Sequence, residues 1–295
     1  MNTLLQQILN GLTLGSTYAL LALGIAMVFS ILHLVNFAHG ELIALCAYAM
    51  LGLRYLNAPW IVWVIGGLAA AVVAALAMER LAFRPIRHAS PVSMMVASLG
   101  LLILISFSLE AFVSPRARAI PQPEWMNRVF LVGGLQVGLK YVLIIVVTGL
   151  SLLGVLLLLR RTIIGTAMRA AAEDFDAVRL MGVRADRVIA TSFALSGLLA
   201  GIAAVLILSI RGSVTPHMGF SLVLYGFIGN VIGGLGNLWG AVLGGFLLGF
   251  AETIFRAFLP SNMSGFTNGL LFVIVAVILV LRPQVLMAPK SAARV

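Results

Sequence analysis

Charge is what this sequence has least of: Asp, Glu, Lys and Arg make up 9% of its 295 residues. A soluble domain carries about a quarter, because its surface must be solvated. With 62% hydrophobic residues and a mean hydropathy of +1.13, most side chains here must sit in lipid or against protein. Lysine occurs only at Lys140 and Lys290. Neither follows a glycine, which excludes a Walker A phosphate loop. Cysteine is limited to Cys46, so an internal disulfide framework and a cysteine metal cluster are both excluded. No Lys or Arg precedes Arg54. A cleavable signal needs a positive leading region, so Ala47-Tyr48-Ala49 is not read as a cleavage site and the first apolar run is expected to be a retained helix.

Period-2 alternation is also missing. Val142–Leu159 and Leu270–Leu281 are continuous apolar runs, whereas a membrane barrel strand alternates in and out. In hydrocarbon the backbone must pair internally, which leaves helices. The expected class is all-α, a polytopic integral membrane protein. Runs long enough for spans of roughly 20 residues occur near 8–31, 60–79, 92–112, 141–159, 188–210, 240–258 and 264–282. Shorter ones lie near 41–54 and 219–233. The expectation is eight or nine transmembrane segments, some short or broken, forming a single transmembrane domain over residues 1–295.

The formal charge of +10 would point to nucleic acid in a soluble chain. Here the basic residues cluster at the ends of apolar runs, with no dense basic stripe, so a nucleic-acid partner is not expected. Three Arg lie in Arg80–Arg87, six in Arg160–Arg187, and Arg282, Lys290 and Arg294 close the chain, together 12 of 19 positives. These stretches are assigned to the cytoplasm by the positive-inside bias. Nine full crossings then put the N-terminus outside and the C-terminus inside. The loop Val113–Lys140, punctuated by Pro115, Pro121 and Pro123, becomes an external cap.

Three stretches break the apolar pattern. Asn36-Phe37-Ala38-His39-Gly40-Glu41 follows His33 between two apolar segments. A charge at mid-membrane costs on the order of 2.5–3.5 kcal/mol, so within the bilayer this cluster must face protein or water, as functional polar groups do. A polar cytoplasmic turn between helices is the other reading. His33, His39 and Glu41 lack a zinc spacing, and no metal, cofactor or catalytic residue is expected.

Nine glycines occur between Gly226 and Gly249, several of them four apart. Over 240–249 this is read as close helix packing. Gly233-Gly234-Leu235-Gly236-Asn237 is too glycine-rich for a helix interior and is expected to be a break or tight turn between two short helices. An echo of the earlier break at 36–40 resembles the paired interruptions of transporters.

Gly165–Arg187 is the longest polar stretch in a cytoplasmic position. Ile164, Met168, Ala171, Phe175 and Val178 form a seam on one helix face, with Arg169, Glu173 and Asp176 on another and Gly182 placed to end the helix. Between Thr166 and Met181 two Arg stand against Glu173, Asp174 and Asp176, a net of −1. Interfacial helices are basic on their polar face. The acidic sign therefore favours a protein groove over anionic lipid. Glu110 and Glu252 lie near helix ends, and Glu252 is read as a structural i,i+4 pair with Arg256.

Asn36-Phe37-Ala38-His39-Gly40-Glu41, followed by Ala47-Tyr48, resembles the signature after the first helix of branched-chain amino-acid permeases. Gly165…Arg169-Ala170…Ala177…Gly182 is similar to that family's coupling segment. Gly233-Gly234-x-Gly236-x-x-x-Gly240-Ala241-x-x-Gly244-Gly245 is similar to its third motif. Cys46 departs from the glycine usual before Ala-Tyr. The resemblance spans nearly the whole chain, closest to the shorter permease of a leucine/isoleucine/valine system. It implies a transport subunit of an ATP-binding-cassette importer in the bacterial inner membrane, itself not an enzyme. The implied partners are a second homologous permease, two cytoplasmic ATP-binding subunits, a periplasmic substrate-binding protein, an amino-acid substrate and membrane lipid. The same family serves urea and short amides, and an ion-coupled carrier is the reading without ATPase subunits. On this footing Asn36, His39, Gly40, Glu41, Gly233, Gly234 and Gly236 are expected to line or gate the path. Gly165, Arg169, Glu173, Asp176 and Gly182, within about 160–187, form the expected ATPase coupling segment.

Overall fold

The computed structural model describes residues 2–87, 89–132, 135–259, 269–271, 273 and 277. Among these, six helices are long and apolar enough to cross a membrane. They are α1 (Asn2–Leu32), α3 (Trp60–Met78, prolonged by a π turn over Glu79–Phe83), α4 (Pro91–Phe112), α5 (Leu139–Arg161), α8 (Ala185–Arg211) and α10 (Leu238–Phe258). Between them lie the shorter helices α2 (His39–Tyr55), α6 (Ile163–Glu173), α7 (Phe175–Leu180) and α9 (Met218–Gly233). The architecture is that of an all-α polytopic membrane protein. The run expected over 264–282 lies mostly outside the described residues.

Helix ends follow local chemistry. Ser90 caps α4, its Oγ accepting from the Ser93 amide at 3.2 Å, with Pro91 at the first helical position. Gly212, with φ +64°, ends α8 in the left-handed region.

Burial separates an inner from an outer set. In α1 83% of the apolar window is buried, against 22% in each of α3, α4 and α5. Ile65 and Val73 of α3, Ile103 and Phe107 of α4, and Leu150 and Leu153 of α5 are exposed. In water such faces would form an apolar patch; in lipid they need no cover.

Around α1 the helices approach backbone to backbone. A Cβ at Gly245 would meet the Ala19 Cα at 2.5 Å, and one at Gly249 would meet the backbone of Gly15. Gly244 and Gly233 of the α9–α10 pair likewise face the carbonyls of Gly229 and Gly240. Lipid supplies no hydrophobic drive between helices, so contact at this range is what holds them. The glycines of 240–249 thus pack helices.

The two ends of the bundle differ. At one end the β2 (Val129–Val132) and β3 (Leu135–Gly138) hairpin pairs Val129 with Gly138. There β1 (Arg118–Ala119) also pairs antiparallel with β4 (Ser213–Val214). The proline-punctuated loop therefore carries strands and is tied down. Ile120 is fully buried, its amide donates to the Gly212 carbonyl at 2.8 Å, and Arg54 donates to the Ala119 carbonyl. The other end collects Arg80–Arg87, Arg160, Arg161, α6 and α7. We call these the hairpin end and the basic end.

Candidate functional site

The chain turns before α2 through an Asn36 side chain that accepts from the Ala38 amide at 3.0 Å, while the Asn36 carbonyl accepts from the His39 amide at 3.2 Å. The Phe37 amide donates to Ser98 Oγ at 3.2 Å. Asn36, His39 and Glu41 are 2%, 1% and 0% exposed, so the segment is no solvated turn. His39 Nδ1 meets Ser196 Oγ at 2.9 Å, and Ser106 Oγ donates to Glu41 Oε1 at 3.0 Å. His39 Nε2 and Glu41 Oε2 find no partner among the described residues. The His39 ring lies against Gly24, where a Cβ would fall 2.7 Å from Cε1. Gly24 is eight residues before the end of α1, and Ser196 is eleven after the start of α8. At about 1.5 Å per residue, His39 sits about 12–16 Å inside the basic end. That is mid-depth in a hydrocarbon core of about 30 Å.

Gly40 packs against the carbonyl of Gly219, so the first turns of α2 and α9 meet there. A Cβ at Gly219 would fall 2.6 Å from Glu41 Oε1. Two helix N-termini therefore converge on one buried carboxylate, each placing partial positive charge beside it. His33, with φ +52°, is exposed. Among the described residues no three His, Cys, Asp or Glu side chains are grouped to hold a metal.

Gly233, Gly234 and Gly236 lie elsewhere, at the far end of α9. Gly234 (φ +95°) and Gly236 (φ +84°) make a tight turn, and Asn237 Oδ1 caps α10 by accepting from the Trp239 and Gly240 amides at 3.1 and 3.0 Å. The turn is as read, but only α9 is short; α10 has 21 residues. The two glycine-marked breaks lie apart: the one before α2 packs against the start of α9 at Gly219, and the other follows the end of α9, about 21 Å away along its axis.

At the basic end the expected single helix is two. Asp174 leaves the helical region (φ −151°) and caps α7, its Oδ1 accepting from the Ala177 amide at 2.9 Å. Met168, Ala171 and Val178 are buried as the seam requires, whereas Ile164 is exposed. Gly165 is wedged against the backbone of Leu158 and Leu159, fixing α6 to the end of α5. Arg169 and Glu173 are exposed, and Gly182, with φ +81°, follows α7. Ile163, Leu180 and Met181 are 90%, 89% and 83% exposed. Beside α7 lies a cavity of about 770 Å³ bordered by Arg87, Arg179, Arg184, Asp186 and Arg187. Asp186 is paired with Arg84, and with Arg87 at 2.6 Å, and Arg87 reaches Glu79 at 2.7 Å. That chain of charges joins the end of α3 to the start of α8.

A fourth cluster escaped the sequence reading. Tyr18 donates to Glu252 Oε2 at 2.6 Å, stacks on Tyr225 with ring centroids 4.9 Å apart, and shares Glu252 with Arg256, whose Nη2 reaches Oε1 at 2.7 Å. The i,i+4 pair was legible; Tyr18, 234 residues away, was not. The only signal was a tyrosine in a run of Leu and Ala.

Comparison with known proteins shows what the chain is similar to. The family model for the permease component of branched-chain amino acid transport systems matches residues 7–278. The high-affinity branched-chain amino acid transport system permease protein LivH of Salmonella typhimurium is 32% identical over 291 residues, 93% of each chain. The corresponding protein BraD of Pseudomonas aeruginosa is 36% identical over 264 residues, 84% of this chain and 85% of that one. A probable branched-chain amino acid transport permease of Methanocaldococcus jannaschii is 28% identical over 92% of this chain and 86% of its own.

Proposed function

Because this chain belongs to the family of permease components of branched-chain amino acid transport systems, we propose that it is the membrane-spanning subunit of an ATP-binding-cassette importer. In this reading it forms, with a second homologous permease, the path for hydrophobic amino acids delivered by a periplasmic binding protein. The basic end faces the cytoplasm and the hairpin end the periplasm, in the bacterial inner membrane. Two ATP-binding subunits dock on α6–α7.

One observation carries the reading. A short amphipathic pair of helices stands at the basic end with Ile163, Leu180 and Met181 bare, in a chain whose two lysines exclude its own Walker A loop. Exposed apolar side chains on an acidic helical segment fit a protein groove. Closure of the ATPase dimer would press on α6, which bears directly on α5 at Gly165. The α7–α8 side joins α3 through Asp186 and Arg87. Packed helices switch between discrete arrangements rather than bending continuously. The buried junction of α2 with α9 at Gly40, together with the turn at Gly233–Gly236, supplies the two ends of a rigid lever between mid-membrane and cytoplasm.

The test is ATP-dependent uptake by the complete complex in liposomes, with leucine, isoleucine, valine and urea in competition. Uptake of branched-chain amino acids that stops without ATP supports the reading. Uptake driven by a proton or sodium gradient with no ATPase subunit present would replace it with an ion-coupled carrier. Charge reversal at Arg169 and Glu173 is expected to loosen the ATPase subunits without unfolding the membrane domain. Intact co-purification would place α6–α7 on lipid instead.

A further inference from the structure

The cluster around Glu252 opens into a cavity of about 560 Å³ at the hairpin end, where α1, α5, α8 and α10 converge. Pockets that hold a small molecule occupy about 300–1,000 Å³ and combine apolar walls with a few placed polar groups. Leu14 and Ile210 supply apolar wall, and Gln7, Asn10, Arg211 and Arg256 supply polar groups. Glu252 is 1% exposed although it carries a carboxylate. An ionisable side chain so placed in a membrane bundle marks function rather than packing.

The charges do not cancel. Glu252 is engaged on both oxygens, by Arg256 and by the Tyr18 hydroxyl. Arg211, on a different helix, also borders the cavity and is exposed. It forms no ion pair among the described residues. Two guanidinium groups against one carboxylate leave one positive charge facing the space. A guanidinium suits a carboxylate, which accepts two parallel N–H bonds from it.

We propose that this cavity is a recognition site for the carboxylate of a free α-amino acid, bound by Arg211 and Arg256. Tyr18 and Glu252 act as positioning residues that hold the Arg256 head. The side-chain carbonyl oxygen of Gln7 is available to an α-ammonium group, beside Asn10 Oδ1, which already accepts from Gln6 Nε2 at 3.4 Å, and the Leu14–Ile210 wall is available to an aliphatic side chain. Urea and short amides carry no carboxylate and leave the positive charge unmatched. The inference rests on the importer reading above and adds to it the place in this chain where the carboxylate of the amino acid is held.

The experiment is equilibrium binding of radiolabelled leucine to the membrane complex, purified through this chain and held in nanodiscs with the soluble binding protein left out. Saturable binding near about 1 mM is expected. Unlabelled leucine and valine should compete, and leucinamide and urea should not. Arg211→Gln, at an exposed helix end where folding is not at issue, is expected to weaken binding about tenfold. Absence of saturable binding, equal competition by urea, or unchanged affinity in Arg211→Gln overturns the site. None of those results touches ATP-driven uptake by the intact complex, whose loss would strike the importer reading instead.

Discussion

Gly40 and Gly219 meet backbone against backbone, where the first turns of α2 and α9 converge beside Glu41. No side chain fits between them, so Gly40→Ala must push the two helices apart. Overpacking of this kind costs about 1–3 kcal/mol. Thermal unfolding of the purified chain in detergent should show a clear loss for Gly40→Ala and Gly219→Ala. Gly100→Ala is the control, since a Cβ there meets nothing within 4 Å. Its Tm should hold or rise, because alanine gives up less backbone freedom in a helix.

Among the described residues, Ser106 is the side chain that hydrogen-bonds the Glu41 carboxyl. Ser106→Ala strands a buried carboxyl oxygen, a change worth about 1–3 kcal/mol. The unfolding midpoint in denaturant is expected to drop accordingly. A double substitution with Glu41→Gln should recover part of the loss, as coupled neighbours do.

The salt-linked chain between α3 and α8 separates two cases of ion pairing. Arg84 and Asp186 have side chains 45% and 50% exposed, so Arg84→Ala is expected to cost less than about 1 kcal/mol, and less still at high salt, where an exposed pair is screened. Arg87 and Glu79 are 17% and 6% exposed. Removing Arg87 leaves Glu79 buried without its partner, and a loss of up to about 3–5 kcal/mol is expected. Equal losses for the two arginines would contradict this ranking.

Ile163 and Leu180 are almost fully exposed, so changing both to Asp should leave the stability of the chain within about 0.5 kcal/mol of its starting value. Co-purification of ATP-binding subunits should fall by about tenfold or more, as when apolar anchors leave an interface. A pull-down with matched melting curves reads both.

The spans were legible because lipid demands continuous apolar length, which composition reports directly. The seam of α6 and α7 was legible too: Met168 and Ala171 of α6 and Val178 of α7 are all buried. The break at Asp174 was not, because an aspartate on a polar helix face and an aspartate capping the next helix look alike until the backbone is seen. The burial of His39 and Glu41 was equally hidden. Their partners, Ser196 and Ser106, lie 157 and 65 residues away, and a serine in an apolar run carries no mark of what it holds. Gly219 escaped notice as an isolated glycine, while the Gly233–Gly236 turn announced itself by density. Periodicity finds a face; it does not find the opposing surface.

One consequence follows from how α1, α9 and α10 touch. At Gly15, Ala19, Gly229 and Gly233 main chain lies against main chain, so at these points no compressible cushion of side chains separates α10 from either α1 or α9. Close-packed matter of that kind is stiff. The trio must shift as a single slab, so a displacement applied at one membrane face arrives at the other undamped.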